Sequence, residues 1–310
     1  MSDVFRAVAT DIFGHEVTLT PSFLRMRRSV TSPAEGMSGH FPVDRNPAEL
    51  IRLRVLRNDA PIFEGKIDEQ RLTFSQNGMA LQLEARTKGA LLLDNEAMPE
   101  TVEFASTHMM FDRLIARHGF ILVAGHAFLP EFTIRKGLTL WDAFSIFARR
   151  THGRLPFVVG DMVMISPTDP GPSVFIGGAD MPFSRLEQTI SHYRPISRVF
   201  IRDDEGNYDA FVDNPDASAR QIQRERYLIP AGEFAAIPRW DSQSRIRRSM
   251  RQMQTVTAEL PGFREIRLGR GVVVEHPQIF LANLLVDGLE FTLDASGART
   301  VLTLASTLYD

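Results

Sequence analysis

The chain has 310 residues, 44% hydrophobic and 24% charged, which suits two or three domains with real cores and argues against disorder throughout. Its 35 Lys and Arg against 38 Asp and Glu give a net charge of −3, which argues against a surface built to neutralise many phosphates. No cysteine is present, so disulfides, thiolate nucleophiles and cysteine-ligated metals are excluded together.

The start of the chain lacks the pattern of a secretory signal. Residues 1–12 carry Asp3, Arg6 and Asp11 and no long apolar core. No later run approaches the roughly 20 apolar residues of a membrane helix. We therefore expect no membrane insertion of this chain and assembly in a reducing cytoplasm.

The N-terminal region predicts short strands at 17–20 and 24–30. Residues 31–46 are rich in Gly, Pro and Ser, which predicts a loop. Apolar and basic residues then alternate over 51–57, which is typical of a half-buried strand whose arginines face away from the core. Those arginines are Arg52, Arg54 and Arg57, and two interpretations stay open for them: a solvated sheet face or a subunit contact.

Residues 55–87 and 272–307 show the same apolar pattern, and a shared spacing over three runs predicts one three-stranded meander built twice. The matching pairs lie 217 positions apart (279 − 62): Ile62 with Ile279, Phe63 with Phe280, Leu72 with Leu289, and Phe74 with Phe291. In each copy two alternating strands flank a turn, at 76–78 and at 294–297. The second turn is predicted to be longer by two residues. Two is the side-chain period of a strand, so the inward face stays inward.

Between the copies the apolar period changes from two to about 3.6 over residues 101–168. Thr107 is a candidate cap for a first helix that Gly119 would end. Thr139 and Asp142 form a variant of the capping box for a second helix, which would end at Gly153. Residues 157–159 and 162–165 predict a hairpin.

The last third predicts a strand at 197–202, an acidic turn at 203–207 and a loop at 213–218. Residues 242–257 predict a third helix with Ile246, Met250 and Met253 on its buried side. The second meander follows.

No residue is assigned a catalytic, cofactor-binding or metal-binding role. His118 and His126 flank a predicted strand, but no third ligand is evident. The run of Asp203, Asp204 and Glu205 lacks the spacing of a calcium loop and predicts a hairpin turn. The arginines of 245–251 are better explained by an exposed helix face or an acidic neighbour than by nucleic acid. Carboxylates that converge only in space, as in a glycoside hydrolase, stay open.

The order of these parts resembles the tail baseplate hub proteins of Mu-like contractile phages, a superfamily that includes T4-type hubs and the N-terminal part of type VI secretion spikes. The resemblance covers most of the chain and depends on order and pattern more than on an invariant motif. Residues 63–68, 85–87 and 91–94 are similar to the family's first barrel and to the segment that leaves it. The other matching stretches are 115–121, 132–137 and 141–153 for the helical insert, and 245–256, 262–264 and 268–271 for the last helix and second barrel.

This resemblance implies a non-enzymatic structural protein in the virion tail baseplate. Family members form a homotrimer of two barrels per subunit, a symmetry adaptor that joins a sixfold tail tube to a threefold spike. The implied partners are two further copies of the chain, tail tube or distal tail ring proteins and the central spike, with baseplate wedge proteins as a further candidate. Because the chain ends at Asp310 without an appended spike or lysozyme module, a separate spike protein is expected.

The expected fold is therefore mainly β with an α+β insert: two similar barrel-like sheet domains arising from an internal duplication. The expected boundaries are 1–100 for the first barrel-like domain, 101–170 for the insert, and 171–310 for the second, with an insertion at about 213–257. Two alternatives stay open, a tail-associated cell-wall hydrolase and a tail-tip binding β module. The second needs an exposed aromatic patch, which two Trp and four Tyr make hard to assemble.

Overall fold

The computed structural model of the chain describes residues 3–76, 78–165, 171–230 and 238–306. Three features of the predicted pattern lie outside these residues: Asn77 of the first turn, the end of the insert at 166–168, and Thr307 at the end of the second meander. Of the described helices, none has both the length and the apolar character that a bilayer crossing requires.

The elements up to residue 94 are β1 (Phe5–Asp11), β2 (Glu16–Leu19), β3 (Phe23–Ser29), β4 (Gly36–Val43), β5 (Leu50–Arg57), β6 (Ala60–Ser75), β7 (Gly78–Arg86) and α1 (Ala90–Asp94). The insert contains β8 (Glu100–Ser106), α2 (Thr107–Leu114), a short 3-10 turn (Ala116–His118), β9 (Ile121–Val123), β10 (Phe128–Ile134), α3 (Leu140–His152), β11 (Phe157–Val159) and β12 (Met162–Met164).

The remaining elements are β13 (Val174–Ile176), β14 (Arg185–Ile190), β15 (Arg198–Ile201), β16 (Ala210–Asp213), α4 (Pro215–Ala219), β17 (Glu225–Leu228), α5 (Pro238–Arg251), β18 (Gln254–Pro261), β19 (Gly271–His276), β20 (Ile279–Asp294) and β21 (Gly297–Ser306). The fold is mainly β with an α+β insert, as predicted.

Over the described residues, thirteen strands form one continuous sheet. The strand order is β14-β18-β21-β20-β3-β4-β7-β6-β5-β1-β2, and β19 pairs with both β20 and β13. Two units with matching order lie in this sheet: β3-β4-β7-β6-β5-β1 is the first unit and β14-β18-β21-β20-β19-β13 is the second.

The duplication is confirmed, but the offset of 217 is wrong. Ile67 lies opposite Ala85 in the first unit, and Val286 lies opposite Leu304 in the second, so equivalent positions are 219 apart (286 − 67, 304 − 85). The same 219 relates β4 to β18, because Gly36 lies opposite Arg86 and Thr255 lies opposite Ala305. β5 and β19 obey it too, since Leu53 lies opposite Gly65 and Val272 lies opposite Leu284. Within the six strands of matching order, four therefore share the constant offset, rather than the three that were predicted.

Burial agrees with the 219 offset. Phe74, which the 217 offset matches to Phe291, is 69% exposed whereas Phe291 is fully buried. The two turns have the same length, since the last pairs are Ser75 with Gly78 and Asp294 with Gly297. The predicted longer turn is therefore also wrong. Offsets of 217 and 219 differ by one side-chain period, so alternation alone does not separate them.

The loop predicted at 31–46 is wrong, because β4 lies there between β3 and β7. Its Gly, Pro and Ser content suggested a loop, yet Met37 and Phe41 alternate inward and are buried. Gly39 has a packing reason: a Cβ there would lie 2.7 Å from Phe41 Cζ, inside the ring's van der Waals surface.

Three local assignments also change. The helix predicted at 242–257 ends at Arg251, and its last residues start β18, where Thr255, Val256 and Thr257 favour a strand through their branched Cβ. Asn214 caps the short helix α4 inside the loop predicted at 213–218. Ser106, not Thr107, caps α2, with its side chain accepting from the Met109 N–H at 3.2 Å.

The insert packs as a separate core of α2, α3 and the paired strands β8 and β10. The predicted capping box is confirmed: Thr139 Oγ1 accepts from the Asp142 N–H at 3.0 Å, and Gly153 ends α3 with φ of 70°. The predicted hairpin of β11 and β12 is confirmed too, and it packs beneath the second unit through Phe157 and Met164.

A second inserted layer lies between β14 and β18, where the sequence placed an insertion at about 213–257. Strand β15 lies between β16 and β17, and Ile246 of α5 packs on one face of this sheet against Val199 and Leu228. Its other face, which carries Phe211 and Tyr227, is open.

A substitution at Phe291 tests whether the two units share a core. Phe291 belongs to a strand of the second unit but packs in the core of the first, where its ring centroid lies 5.3 Å from that of Phe5. Phe263, which follows β18, joins the same core, with its ring centroid 5.1 Å away. We expect Phe291→Ala to lower the free energy of unfolding by about 3–5 kcal/mol, through lost burial and a residual cavity. Denaturant unfolding would measure it.

The matched control is Phe280→Ala, since Phe280 is also on β20 but is 69% exposed. Its change should stay within about 0.5 kcal/mol. Equal losses for the two variants would contradict the shared core.

Candidate functional site: the seam between the two units

Strand β20 holds the two units together because its edges are shared. β21 covers one edge over residues 284–294. On the other edge, residues 279–285 pair with β19 and residues 288–293 pair antiparallel with β3 of the first unit. We call this second pairing, 288–293 with 24–29, the seam. It turns two units into one sheet.

The inward side of the seam is apolar. Phe291 lies opposite Met26, and Leu293 lies opposite Leu24. Met26, Leu24 and Phe291 are buried and belong to the core of the first unit. Fully burying side chains of this size contributes about 1.5–3 kcal/mol each, so this face supplies most of the seam's stability.

The outward side of the seam carries a cross-strand charge cluster. Glu290 accepts from Arg25 Nη2 at 3.1 Å and from Arg27 Nε at 2.5 Å. The Glu290 side chain is 29% exposed, so water screens these pairs only partly. Opposite charges on facing strands add a few tenths to about 1 kcal/mol each and, more usefully, discriminate against other registers.

Each unit has a β-bulge at the equivalent place in its long strand. The register shifts between Ile67 and Glu69 and between Val286 and Gly288, which places Asp68 and Asp287 at the two bulges. Both aspartates accept from arginines that reach them from other elements.

Arg86 donates from Nε to Asp68 at 2.6 Å and from Nη2 to Asp94 at the end of α1 at 2.9 Å. These two carboxylates, Asp68 first, raise the pKa of Arg86 above its usual range. Arg251 at the end of α5 donates to Asp287 at 3.0 Å. The helix α1, which leads into the insert, and the inserted layer are thus each tied near a bulge of one unit.

A groove of about 490 Å³ lies on the outer face of β3, β4 and β7, next to the seam. It contains two acidic side chains, Asp68 and Glu84, which is the feature that a hydrolase would need. Both are engaged within the chain, Asp68 by Arg86 and Glu84 by the Ser38 hydroxyl at 2.8 Å. Their geometry is that of a sheet-face network.

The residues flagged for metal chemistry do not converge. Among the described residues, no group of three His, Asp or Glu side chains is placed to hold an ion. His126 is exposed and its ring lies 6.3 Å from that of His108. The acidic run forms the predicted turn, in which Asp203 Oδ1 accepts from the Asn207 N–H at 2.7 Å.

The open face of the inserted layer carries a row of aromatic rings that sequence reasoning missed. Phe211, Phe200 and Tyr227 lie side by side on three paired strands, with ring centroids 6.0 and 5.2 Å apart. Tyr208 packs against Tyr227 at 5.2 Å, and Arg198 lies 4.3 Å from the Phe211 ring centroid. The expectation that an aromatic patch is hard to assemble is therefore wrong, because phenylalanines expected in cores supply half of it.

The sequence matches no protein-family model and no curated protein. Solved structures match over almost the whole chain. A tail protein from Neisseria meningitidis MC58 has a TM-score of 0.78 at 16% identity, covering 99% of this chain and 97% of that one.

The chain has the fold of phage tail proteins. A prophage MuSo2 tail protein from Shewanella oneidensis agrees, with a TM-score of 0.79 at 15% identity and 99% coverage of both chains. An E. coli type VI secretion component, described as similar to T4 tail proteins gp27 and gp5, has a TM-score of 0.59 at 9% identity, covering 92% of this chain and 73% of that one. The resemblance predicted from the sequence is confirmed at the level of the fold.

The charge cluster predicts a salt-sensitive contribution to stability. Glu290→Gln should lower the free energy of unfolding by about 1 kcal/mol at low salt, because two arginines lose their carboxylate. The loss should shrink in 1 M salt, where screening acts over about 3 Å. Glu64→Gln, on the exposed side of β6, is the control and should have little effect at either salt. A salt-independent loss would contradict the electrostatic explanation.

The turn after the seam predicts a pH dependence. Donation by the Ser296 hydroxyl and then by Arg299 lowers the pKa of Asp294 to about 2, from 3.8. Since the folded pKa is depressed, the carboxylate contributes stability above pH 3.8 that is lost as the pH falls through about 2.

Asp294→Asn should therefore lower the melting temperature at pH 5, and the difference from the unsubstituted chain should narrow steadily below pH 4. Asp112→Asn, on the exposed face of α2, should show no such narrowing. A constant difference from pH 5 to pH 2 would sink this explanation.

Proposed function

We propose that the chain is the structural baseplate hub of a contractile phage tail or a related injection particle. Three copies form a ring that joins the sixfold tail tube to the threefold central spike. The observation that carries this proposal is the duplicated unit: one strand order occurs twice, with a constant 219 offset through four strands.

Symmetry explains why such a chain suits an adaptor. Three chains with two units each present six similar sheet surfaces, while the inserts repeat only three times. One side of the ring can then meet sixfold tube or distal tail ring proteins, and the other a threefold spike. Baseplate wedge proteins would contact the outer rim. The fold likeness to tail proteins supports this placement in the virion baseplate.

The proposed role is non-enzymatic. The acidic side chains of the groove are held by Arg86 and Ser38, and their hydrogen bonds are those of a rigid sheet. Support therefore comes from the geometry of the sheet, not from a reacting centre.

The test is the assembly state. Sedimentation over a concentration series, alone and with the cognate spike, should reveal a species of three times 34.9 kDa. Images of that species should show threefold symmetry with six similar lobes around a channel. A strictly monomeric chain, both in solution with the spike and in assembled tails, would overturn the adaptor proposal.

A second candidate, a tail-tip binding module, is favoured by the aromatic row on the inserted layer. Aromatic rings beside an arginine are common in binding surfaces. This candidate would replace the hub if the chain stays monomeric in the experiment above and binds bacterial cell-wall glycan in a manner lost in Phe200→Ser.

A further inference from the structure

Among the strand edges of the large sheet that have no strand beside them in the described residues are one on β6 and one on β14. One edge of β6 is paired only in part. Residues 60–66 pair with β5 along this edge, whereas residues 69–74 have no strand beside them there. In β14, one edge pairs with β18 and the other is open. Unpaired backbone donors and acceptors on such edges favour pairing with another strand.

These open edges are the equivalents of the two strands in the seam. β6 corresponds to β20 through the 219 offset. β14 corresponds to β3, because β14 pairs with β18 in the register in which β3 pairs with β4. Leu186 lies opposite Ala258, and Leu24 lies opposite Gly39, which is the position equivalent to Ala258 (258 − 39 = 219). The chain therefore contains one formed seam and both halves of a second.

We propose that the β6 edge of one copy pairs antiparallel with the β14 edge of the next copy, in the register of the seam. This inference rests on the proposed function, in which three copies close into a ring. Transferring the seam register places Glu69 opposite Ser191, Arg71 opposite Thr189, Leu72 opposite Gln188, Thr73 opposite Glu187 and Phe74 opposite Leu186. The partner is a second copy of this chain.

Exposed apolar side chains lie on the side that this pairing would cover. Phe74 is 69% exposed and Ile190 is 58% exposed. Phe74 and Leu186 correspond to Leu293 and Leu24, on the apolar side of the formed seam. The second seam would remove Phe74 and Ile190 from water, a favourable burial for self-association.

Each seam pairs an acidic with a basic side chain, and the two strands exchange these signs between the formed seam and the second seam. Glu290 of β20 binds Arg25 of β3 at 3.0 Å. At the equivalent positions the second seam has Arg71 on β6 and Glu187 on β14. In the single chain each is held by a neighbour on its own strand, Arg71 by Glu69 at 2.5 Å and Glu187 by Arg185 at 2.8 Å.

The reversal gives the pairing specificity. A β6 edge placed against β3 would bring Arg71 towards Arg25 and Arg27, and like charges on facing strands are unfavourable. Each open edge therefore fits the other and neither fits the formed seam. Such discrimination directs copies into a head-to-tail ring with alternating units.

Cysteine cross-linking tests the register, and the absence of native cysteine keeps the experiment clean. Leu72→Cys with Gln188→Cys in the full chain should form an intermolecular disulfide under mild oxidation, because directly opposite Cβ atoms lie about 4.5–5.5 Å apart. Leu72→Cys with Ile190→Cys is the control: it is shifted by two residues on the same face, about 6.8 Å along the strand.

Charge exchange tests the ion pair. Arg71→Glu and Glu187→Arg should each weaken self-association by about tenfold, the effect of roughly 1.4 kcal/mol. The double variant should restore it, because it reproduces the polarity of Glu290 and Arg25. Each substitution is at an exposed position, and unchanged melting temperatures would confirm intact folding.

The outcomes separate this inference from the proposed function. Covalent products that end at three chains in the first pair, and not in the control, support both. A threefold particle without the 72–188 cross-link, or without rescue in the double variant, overturns the second seam and leaves the hub. Cross-linked products that continue beyond three chains support the pairing and overturn the closed ring. A chain that never cross-links or self-associates overturns both.

Discussion

The structure depends on the backbone pairing of β20 with two strands along one edge. Its first half completes the second unit with β19, and its second half pairs with β3 of the first. Sixteen residues give the strand enough length for both partners. A shorter strand would leave two separate sheets, whereas this one fixes the angle and spacing between two similar units. Phe291 reinforces the joint by adding an apolar anchor from one unit to the core of the other.

The remaining parts are arranged around that joint. Each bulge has an aspartate at the register shift, and arginines from neighbouring elements bind these carboxylates. The helix α1, which leads into the insert, is anchored near the first unit, and the inserted layer is anchored near the second. The two units are therefore similar in their sheets and different in what they carry, which is the asymmetry required of a part that meets a sixfold structure on one side and a threefold structure on the other.

Sequence reasoning succeeded where the signal was local and chemical. The capping box at Thr139 and Asp142 was predictable because its two hydrogen bonds join residues three apart. The hairpin at β11 and β12 was predictable from two short apolar runs around a glycine turn. β4 was missed because Gly39 and Pro42 suggest a loop. In the structure Gly39 makes room for the Phe41 ring, and Pro42 lies near the end of the strand. The aromatic row was missed since its members come from three strands whose pairing includes a parallel crossover.

By itself the sequence determined that two stretches share an alternating pattern and so face a core on the same side. Hydrophobic side chains encode that property directly. It did not determine whether the repeat offset is 217 or 219, because both keep the same residues inward. Only the tertiary structure decided which strand edges pair with each other. The hydrogen bonds that join edges come from backbone N–H and C=O groups that nearly every residue possesses, so the sequence carries little record of the neighbour. One such trace is the exchange of charge between the pair Glu290 and Arg25 and the pair Arg71 and Glu187. It could be recognised only after the formed seam showed which positions correspond.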